Sequence, residues 1–121
     1  MKYMLLIYQG TTPTPRSPDS WARLSEDEQK AIFTAYEEIN QTPGVTPGVV
    51  LQAADKTATT VRTEDGELQT VDGPFVPSAQ TLDGYLMFET DDPDAAVELA
   101  ARIPAAHMGG AVEVRPVVES S

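Results

Sequence analysis

The chain has 121 residues, which suits a single domain over residues 1–121 with one hydrophobic core. It contains 19 acidic and 8 basic residues, and the resulting formal charge of −11 opposes binding to nucleic acid and to anionic membrane surfaces. The chain has no cysteine and one histidine, which excludes disulfides, a thiol nucleophile, and cysteine or multi-histidine zinc sites. We therefore expect neither a metal nor a cofactor.

Hydropathy along the chain gives no sign of a membrane segment. No apolar run approaches the roughly 20 residues that a membrane-spanning helix needs. The first residues also lack the long apolar segment of a secretory signal. We therefore expect a cytoplasmic protein that does not associate with membranes.

The first third of the chain predicts a strand, a loop and a helix. Residues 2–8 are apolar on both faces of a strand, which indicates a central position in a sheet. Residues 9–19 are rich in Thr and Pro and predict a surface loop. Ser25 and Glu28 form a capping-box pattern, which predicts a helix that ends near Asn40. The buried face of this helix would carry Ile32, Ala35, Tyr36 and Ile39.

The middle of the chain predicts β-structure. Residues 49–54 form a candidate strand after two Pro-Gly pairs. Residues 58–63 form another, and Asp65-Gly66 predicts a hairpin turn that leads into a short returning strand over residues 68–71. Residues 84–89 are again apolar on both faces of a strand.

The last third predicts one helix and one strand. Asp92-Pro93 is typical of a helix start, with Asp as the N-cap and Pro at the first helical position. The apolar face of this helix would carry Ala96, Leu99, Ala100 and Ile103. Residues 111–117 alternate between apolar and charged and predict a half-buried strand. Two helices alternating with antiparallel strands indicate an α+β, ferredoxin-like split βαβ fold.

The two doubly apolar strands have a further implication. If both helices cover one face of the sheet, the other face remains apolar and open. A second copy packed face to face would cover it, so we expect a homodimer.

Asp72-Gly73-Pro74-Phe75 interrupts the β-patterned region. Glycine tolerates positive φ and proline cannot donate a ladder hydrogen bond, so the backbone must leave the sheet here. One interpretation is a carboxylate presented at a strand end near an aromatic ring. The alternative is a turn in which the Asp72 carboxylate accepts hydrogen bonds from nearby backbone N–H groups.

Several motifs in order resemble the YCII-related (DGPF-domain) family. The resemblance runs nearly end to end and rests on Lys2 to Tyr8, Ala58 to Arg62, Asp72 to Phe75, Gly84-Tyr85, Arg102 to Ala106, and Glu113 to Val117. It implies a dimeric α+β barrel with a ferredoxin-like fold. Some relatives are fused to, or linked with, extracytoplasmic-function sigma factors, which implies a regulatory context.

The chain departs from the family pattern in two places. After the corner, relatives commonly carry a polar Glu-Thr-Lys-Glu-like segment, whereas residues 76–80 here are Val-Pro-Ser-Ala-Gln. YciI-type relatives resemble enzymes with a His-Asp pair whose histidine lies in the first helix. No histidine occurs in that helix here, so the pair is not carried over.

Asp72 is the candidate general base, because partial burial beside Phe75 would raise the pKa of its carboxyl. His107 is a second candidate for proton transfer, since its ordinary pKa lies near neutrality; the alternative is a solvent-facing loop histidine. Arg62 and Arg115 would bind a carboxylate or phosphate, or else form structural ion pairs. Candidate pocket aromatics are Tyr8, Tyr36 and Tyr85, which are equally compatible with core packing.

Two functions from different classes follow. The first is binding of a small molecule in a pocket near the Asp-Gly-Pro-Phe corner, with cofactor-free acid–base catalysis of an isomerase or lyase type if the protein is an enzyme. The alternative is a non-catalytic sensing or interaction module that works with a sigma factor. Whether the chain is an enzyme stays open at this point.

Overall fold

The computed structural model describes residues 1–76 and 81–119. In chain order, its elements are β1 (Lys2–Tyr8), α1 (Pro18–Ala22), α2 (Glu26–Gln41), β2 (Val45–Thr46), α3 (Ala54–Thr57), β3 (Thr59–Glu64), β4 (Glu67–Asp72), β5 (Gly84–Glu89), α4 (Pro93–Arg102), a 3₁₀ turn (Pro104–Ala106) and β6 (Ala111–Pro116). This is an α+β fold with antiparallel sheets, as the sequence predicts.

Four strands form the main sheet in the order β2-β5-β1-β6. Every neighbouring pair is antiparallel, and β1 pairs with both β5 and β6. In this order β5 lies between β2 and β1, and β1 lies between β5 and β6. Each helical crossover therefore skips one strand, which is the split βαβ arrangement. The predicted central position of β1 is confirmed.

The core lies on the helix-covered face of this sheet. The odd-numbered residues of β1 and alternate residues of β5 are buried there, because successive strand side chains point to opposite faces. The helices contribute Ile39, Leu99 and Ile103 to the same cluster. The side chains of Leu5, Ile39 and Ile103 are fully buried.

The opposite face of the sheet is apolar and only half-buried. The register places Met4 opposite Met87 and Leu6 opposite Tyr85 on this face. The charged side chains of Arg115 and Glu113 border the same rows. The two inner strands therefore have apolar side chains on both faces, as expected.

Helix caps determine where the two long helices begin. The Ser25 hydroxyl accepts a hydrogen bond from the Glu28 N–H at 3.1 Å, and the Glu28 carboxylate accepts one from the Ser25 N–H at 2.9 Å. The Asp92 carboxylate accepts from the Asp94 N–H at 2.9 Å, with Pro93 at the first helical position. Both predicted helix starts are confirmed.

The strand predicted over residues 49–54 is wrong. This segment makes a single β-bridge, between Val50 and Gly84, and α3 begins at Ala54. It follows β2 along the edge of β5, but Pro47 has no N–H to donate and Gly48 packs directly on the Tyr85 backbone. These two residues interrupt the ladder, so the segment is an irregular sheet edge.

Strands β3 and β4 form a separate two-stranded sheet. Asp65 and Gly66, with φ of 53° and 80°, make the predicted hairpin turn, and their positive φ values match the type I′ geometry. Every residue of β4 is exposed. The hairpin is therefore an arm beside the main sheet and contributes little to its core.

Candidate functional site

A cavity of about 400 Å³ opens between the main sheet, α2 and the loop after β1. Its floor includes Ile7 and Leu86 of the inner strands, and Ile32 of α2 forms one wall. The Pro13 to Arg16 segment and the irregular sheet edge at residues 47–50 complete the lining. The volume is typical of a pocket for a small molecule.

Two polar groups of the residues that line this mostly apolar cavity have no partner among the residues that the structure describes. Thr12 is 4% exposed, and neither its hydroxyl nor Gln9 Oε1 makes a hydrogen bond among the described residues. The other end of the Gln9 amide donates to the Tyr36 hydroxyl at 3.3 Å. Buried polar atoms in folded proteins almost always have partners, ordered water included, so a water or a polar ligand atom that reached these two groups would satisfy them.

Tyr36 adds a hydroxyl to the cavity wall. Burial raises the pKa of Tyr36 above its ordinary value, while the hydrogen bond from Gln9 and the charge of Arg16 partly oppose that rise. The phenol is therefore protonated at neutral pH and has a hydrogen available to donate.

Asp83 ties together the elements that surround the cavity. Its Oδ2 accepts a hydrogen bond from the Gln9 N–H at 2.8 Å, and its Oδ1 lies 4.0 Å from the Arg16 guanidinium. Its backbone N–H donates to Ile7, and its carbonyl accepts from the Leu51 N–H. Arg16 in turn donates to the Leu51 carbonyl. The Asp83–Arg16 pair thereby joins the loop after β1 to the sheet edge.

The predicted corner forms, but it lies on the hairpin. β4 ends at Asp72, and Gly73 follows with φ of 111°. The Gly73 N–H donates to the Ala58 carbonyl at 2.8 Å, and its carbonyl accepts from the Thr60 hydroxyl at 2.7 Å. Asp72 and Phe75 are both exposed and do not belong to the cavity lining.

The predicted cationic residues are also spread over the surface. The Arg62 guanidinium stacks over the Phe75 ring at 5.3 Å and lies 3.4 Å from Glu64. Arg115 lies 3.8 Å from Glu113, in the ion pair that was one of its two expected roles. His107 is exposed after the 3₁₀ turn. The structure thus brings Arg62 and Phe75 together, but not with Arg115 or His107.

Two of the three candidate tyrosines border the cavity. These are Tyr36 and Tyr85, although the Tyr85 side chain stands in the open-face row beside Leu6. Tyr8 lies at the end of β1 on the open face of the sheet, where its hydroxyl is 3.4 Å from the Glu113 carboxylate. Two of the three therefore lie where a pocket exists.

The entire chain, residues 1–121, matches the model of the YCII-related domain. The chain belongs to the YCII-related family. This family has an α+β fold, in agreement with the sheet and helices described above. No curated protein matches the chain.

The departure from the family pattern falls mainly on residues 77–80, which lie outside the described residues. In the described part of the chain, no three His, Asp or Glu side chains form a group that could hold a metal ion. Nor does any helix within residues 1–76 and 81–119 combine the length and apolarity that a bilayer span requires.

Sequence reasoning missed the residues that form the polar end of the cavity. Gln9, Thr12 and Arg16 lie in what was predicted only as a surface loop, and Asp83 is 74 residues from Gln9 along the chain. The sequence does contain one indication of this site: the Asp83-Gly84 pair stands where the doubly apolar strand β5 begins. No spacing rule connects that pair to a loop so far away in sequence.

Proposed function

We propose that this YCII-related domain binds a small organic molecule in the cavity between the sheet and α2. The observation that carries the proposal is an apolar cavity whose lining includes Thr12 and Gln9, with Thr12 Oγ1 and Gln9 Oε1 lacking partners within residues 1–76 and 81–119. A ligand with a polar group at one end would satisfy both and displace water from the apolar walls.

The cavity is a better location for the ligand than the corner on the hairpin. Its lining includes the buried Ile7 and Leu86, so a ligand there would lose contact with water over much of its surface. At the corner, Phe75 is 67% exposed and Asp72 lies on a fully exposed strand. Burial is what makes a few polar contacts selective.

A fragment screen followed by methyl NMR tests this proposal. We expect binders to shift the methyl signals of Ile7, Ile32 and Leu86, and not those of Leu68 on the hairpin. The variant Val49→Trp, at a half-exposed position of the lining, should weaken binding about tenfold by filling the space.

Val61→Trp is the matched control, because Val61 is similarly exposed but lies on the hairpin. Equal loss of binding in both variants would count against the cavity. So would a screen in which no fragment moves the cavity methyl signals.

Catalysis with Asp72 as general base stays a prediction. Its carboxylate is exposed on the hairpin, and the cavity wall contains Tyr36 and Asp83 as other groups that could take part in proton transfer. Asp72→Asn and Asp83→Asn should be compared with any substrate that the screen identifies. Loss of turnover only in Asp72→Asn, with binding retained, would support the base at the corner.

The homodimer is also a proposal, and the open face of the sheet supports it. Met4, Leu6, Tyr85 and Met87 form an apolar surface there that is only half-buried within one chain. Light scattering at micromolar concentration should give twice the chain mass. A monomer at that concentration would count heavily against it.

The alternative function, an interaction module for a sigma factor in the cytoplasm, is supported by the hairpin. Val61, Leu68 and Val71 are each more than half exposed there. Binding to a sigma factor that Leu68→Asp abolishes, while Val49→Trp leaves it unchanged, would favour this alternative. Binding that Leu68→Asp leaves unchanged, or no binding to a sigma factor, would count against the hairpin as the interface.

A further inference from the structure

We infer that the cavity selects an uncharged ligand: a mainly apolar molecule with one hydroxyl-like group held by Thr12 and Gln9. This inference rests on the proposed function, since it names the chemical class that the same cavity would take. It depends on how the charges and the polar atoms of the lining are already paired.

The charges of the cavity wall cancel. Two of the described lining residues are charged, Arg16 and Asp83, and they face each other at 4.0 Å. The Asp83 side chain is 14% exposed and the Arg16 side chain 33% exposed, so the carboxylate depends on its partner for compensation. An anionic ligand would compete with Asp83 for the charge of Arg16, and any shift of Arg16 toward the ligand would leave the shielded carboxylate less compensated.

A cationic ligand meets the opposite obstacle. Asp83 Oδ2 accepts a hydrogen bond from the Gln9 N–H, and the Arg16 guanidinium lies 4.0 Å from Oδ1, so the negative charge is already balanced by a cation. No second carboxylate belongs to the described lining, so a cation would be buried beside Arg16 without an available partner. The net charge of −11 on the chain draws cations to its surface, but it does not provide a counter-ion inside this cavity.

The free polar atoms suit a hydroxyl. In the described part of the chain Gln9 Oε1 accepts from no donor, and the Thr12 hydroxyl can both donate and accept. A ligand hydroxyl that reached both atoms would donate to Gln9 and accept from Thr12. The Tyr36 hydroxyl, which accepts from Gln9, has a hydrogen for a second ligand oxygen.

The rest of the lining is mainly apolar. Ile7, Ile32, Val49 and Leu86 present apolar surface to the bound molecule. This surface stabilises any hydrophobic body of suitable size with little discrimination. Selectivity therefore comes from the polar end and from the exclusion of charge.

Four probes with the same ring separate these effects: benzyl alcohol, toluene, benzoate and benzylammonium. Their affinities are measured by methyl NMR titration of the cavity signals. We expect benzyl alcohol to bind about tenfold more tightly than either ion, because of the cost of burying an uncompensated charge. We expect it to bind about threefold to tenfold more tightly than toluene, which has no hydroxyl.

The variant Thr12→Val removes the hydroxyl and keeps the side-chain shape. It should reduce the advantage of benzyl alcohol over toluene by about threefold or more, and leave toluene binding nearly unchanged. Because this hydroxyl has no protein partner among the described residues, the variant should be at least as stable to heat as the original chain. Thr34→Val, at an exposed position on α2, is the control and should change neither ratio.

The possible outcomes distinguish failure of this inference from failure of the proposed small-molecule binding. If no probe shifts the cavity signals, small-molecule binding in the cavity fails and the inference fails with it. If benzoate or benzylammonium binds as tightly as benzyl alcohol, the cavity binds ligands but the exclusion of charge is wrong. An unchanged ratio of benzyl alcohol to toluene in Thr12→Val would overturn the assignment of the hydroxyl site.

Discussion

The main sheet and the β3–β4 hairpin are both antiparallel, yet they differ sharply in burial. Leu5 in β1 is fully buried beneath the helices, whereas Leu68 in β4 is 71% exposed. Both leucines sit in strands with a well-formed hydrogen-bond ladder. The difference comes from the layer above the strand, because α2 and α4 cover only the main sheet.

This contrast shows that strand pairing alone does not create a site. A two-stranded hairpin has no second layer, so its side chains remain in water on both faces. A helix laid over the sheet excludes water and, where packing is incomplete, leaves a cavity with buried walls. The cavity at Ile7, Ile32 and Leu86 lies at such a place.

The largest expected effect is in the core of the main sheet. Leu5→Ala should reduce the free energy of unfolding by about 2–5 kcal/mol, because it removes a fully buried side chain and leaves a void. Leu68→Ala, the same change on the hairpin, should cost less than about 0.5 kcal/mol. Urea denaturation measures both. Similar losses in the two variants would show that the hairpin is buried in solution.

A smaller effect is expected at the sheet edge that borders the cavity. A Cβ at Gly48 would overlap the Tyr85 carbonyl oxygen, whereas a Cβ at Gly73 on the hairpin corner meets no atom within 4 Å. Gly48→Ala should therefore cost about 1–3 kcal/mol through overpacking. Thermal unfolding measures this loss of stability, and an unchanged melting temperature would mean that the sheet edge moves aside without cost.

The next largest loss of stability is expected where Asp83 joins the loop after β1 to the main sheet. Asp83→Ala removes the acceptor of the Gln9 N–H and should cost about 1–3 kcal/mol. Asp91→Ala is the control, since that side chain is fully exposed and pairs only with the amino terminus among the described residues. If both variants unfold at the same urea concentration, Asp83 does not stabilise the loop after β1.

The smallest expected effect is at the start of α2. Ser25→Ala should cost about 1 kcal/mol by removing the cap, while Thr34→Ala in the same helix should cost little. The hydrogen bonds from Ser25 lower the pKa of Glu28, so the ionised form is favoured in the folded state.

The contribution of Glu28 is therefore complete above its ordinary pKa, near 4.5, and is lost as the pH falls through its lower folded value. The stability difference between the original chain and Glu28→Gln should shrink in that range. Urea midpoints at a series of acidic pH values measure it, and a constant difference would contradict the capping role of the carboxylate.

Local patterns in the sequence predicted most of the fold. The capping box at Ser25, the Asp92-Pro93 start and the Asp65-Gly66 turn each act within a few residues, so their physics is visible in the sequence. Alternating burial in β1 and β5 likewise follows from period-two patterning. The strand predicted over residues 49–54 failed because the carbonyl of Tyr85, which approaches Gly48, comes from a distant strand.

The candidate site was less accessible to sequence reasoning. The Asp-Gly-Pro-Phe corner is conspicuous because it breaks a β pattern, but its place on an exposed hairpin depends on which strands the helices cover. The polar end of the cavity depends on contacts between Gln9 and Asp83 and between Gln9 and Tyr36. Such contacts between distant residues leave no periodic trace in the chain.

The tight turn at Asp65 and Gly66 also makes the protein convenient to label. It lies at the tip of the hairpin, where both residues are exposed, and an insertion between them would avoid placing a side chain at the positive φ of Gly66. Exposed loop tips of this kind tolerate inserted sequence well. A fluorophore or a short affinity peptide placed there would mark the protein without touching the lining of the cavity or the core between the sheet and the helices.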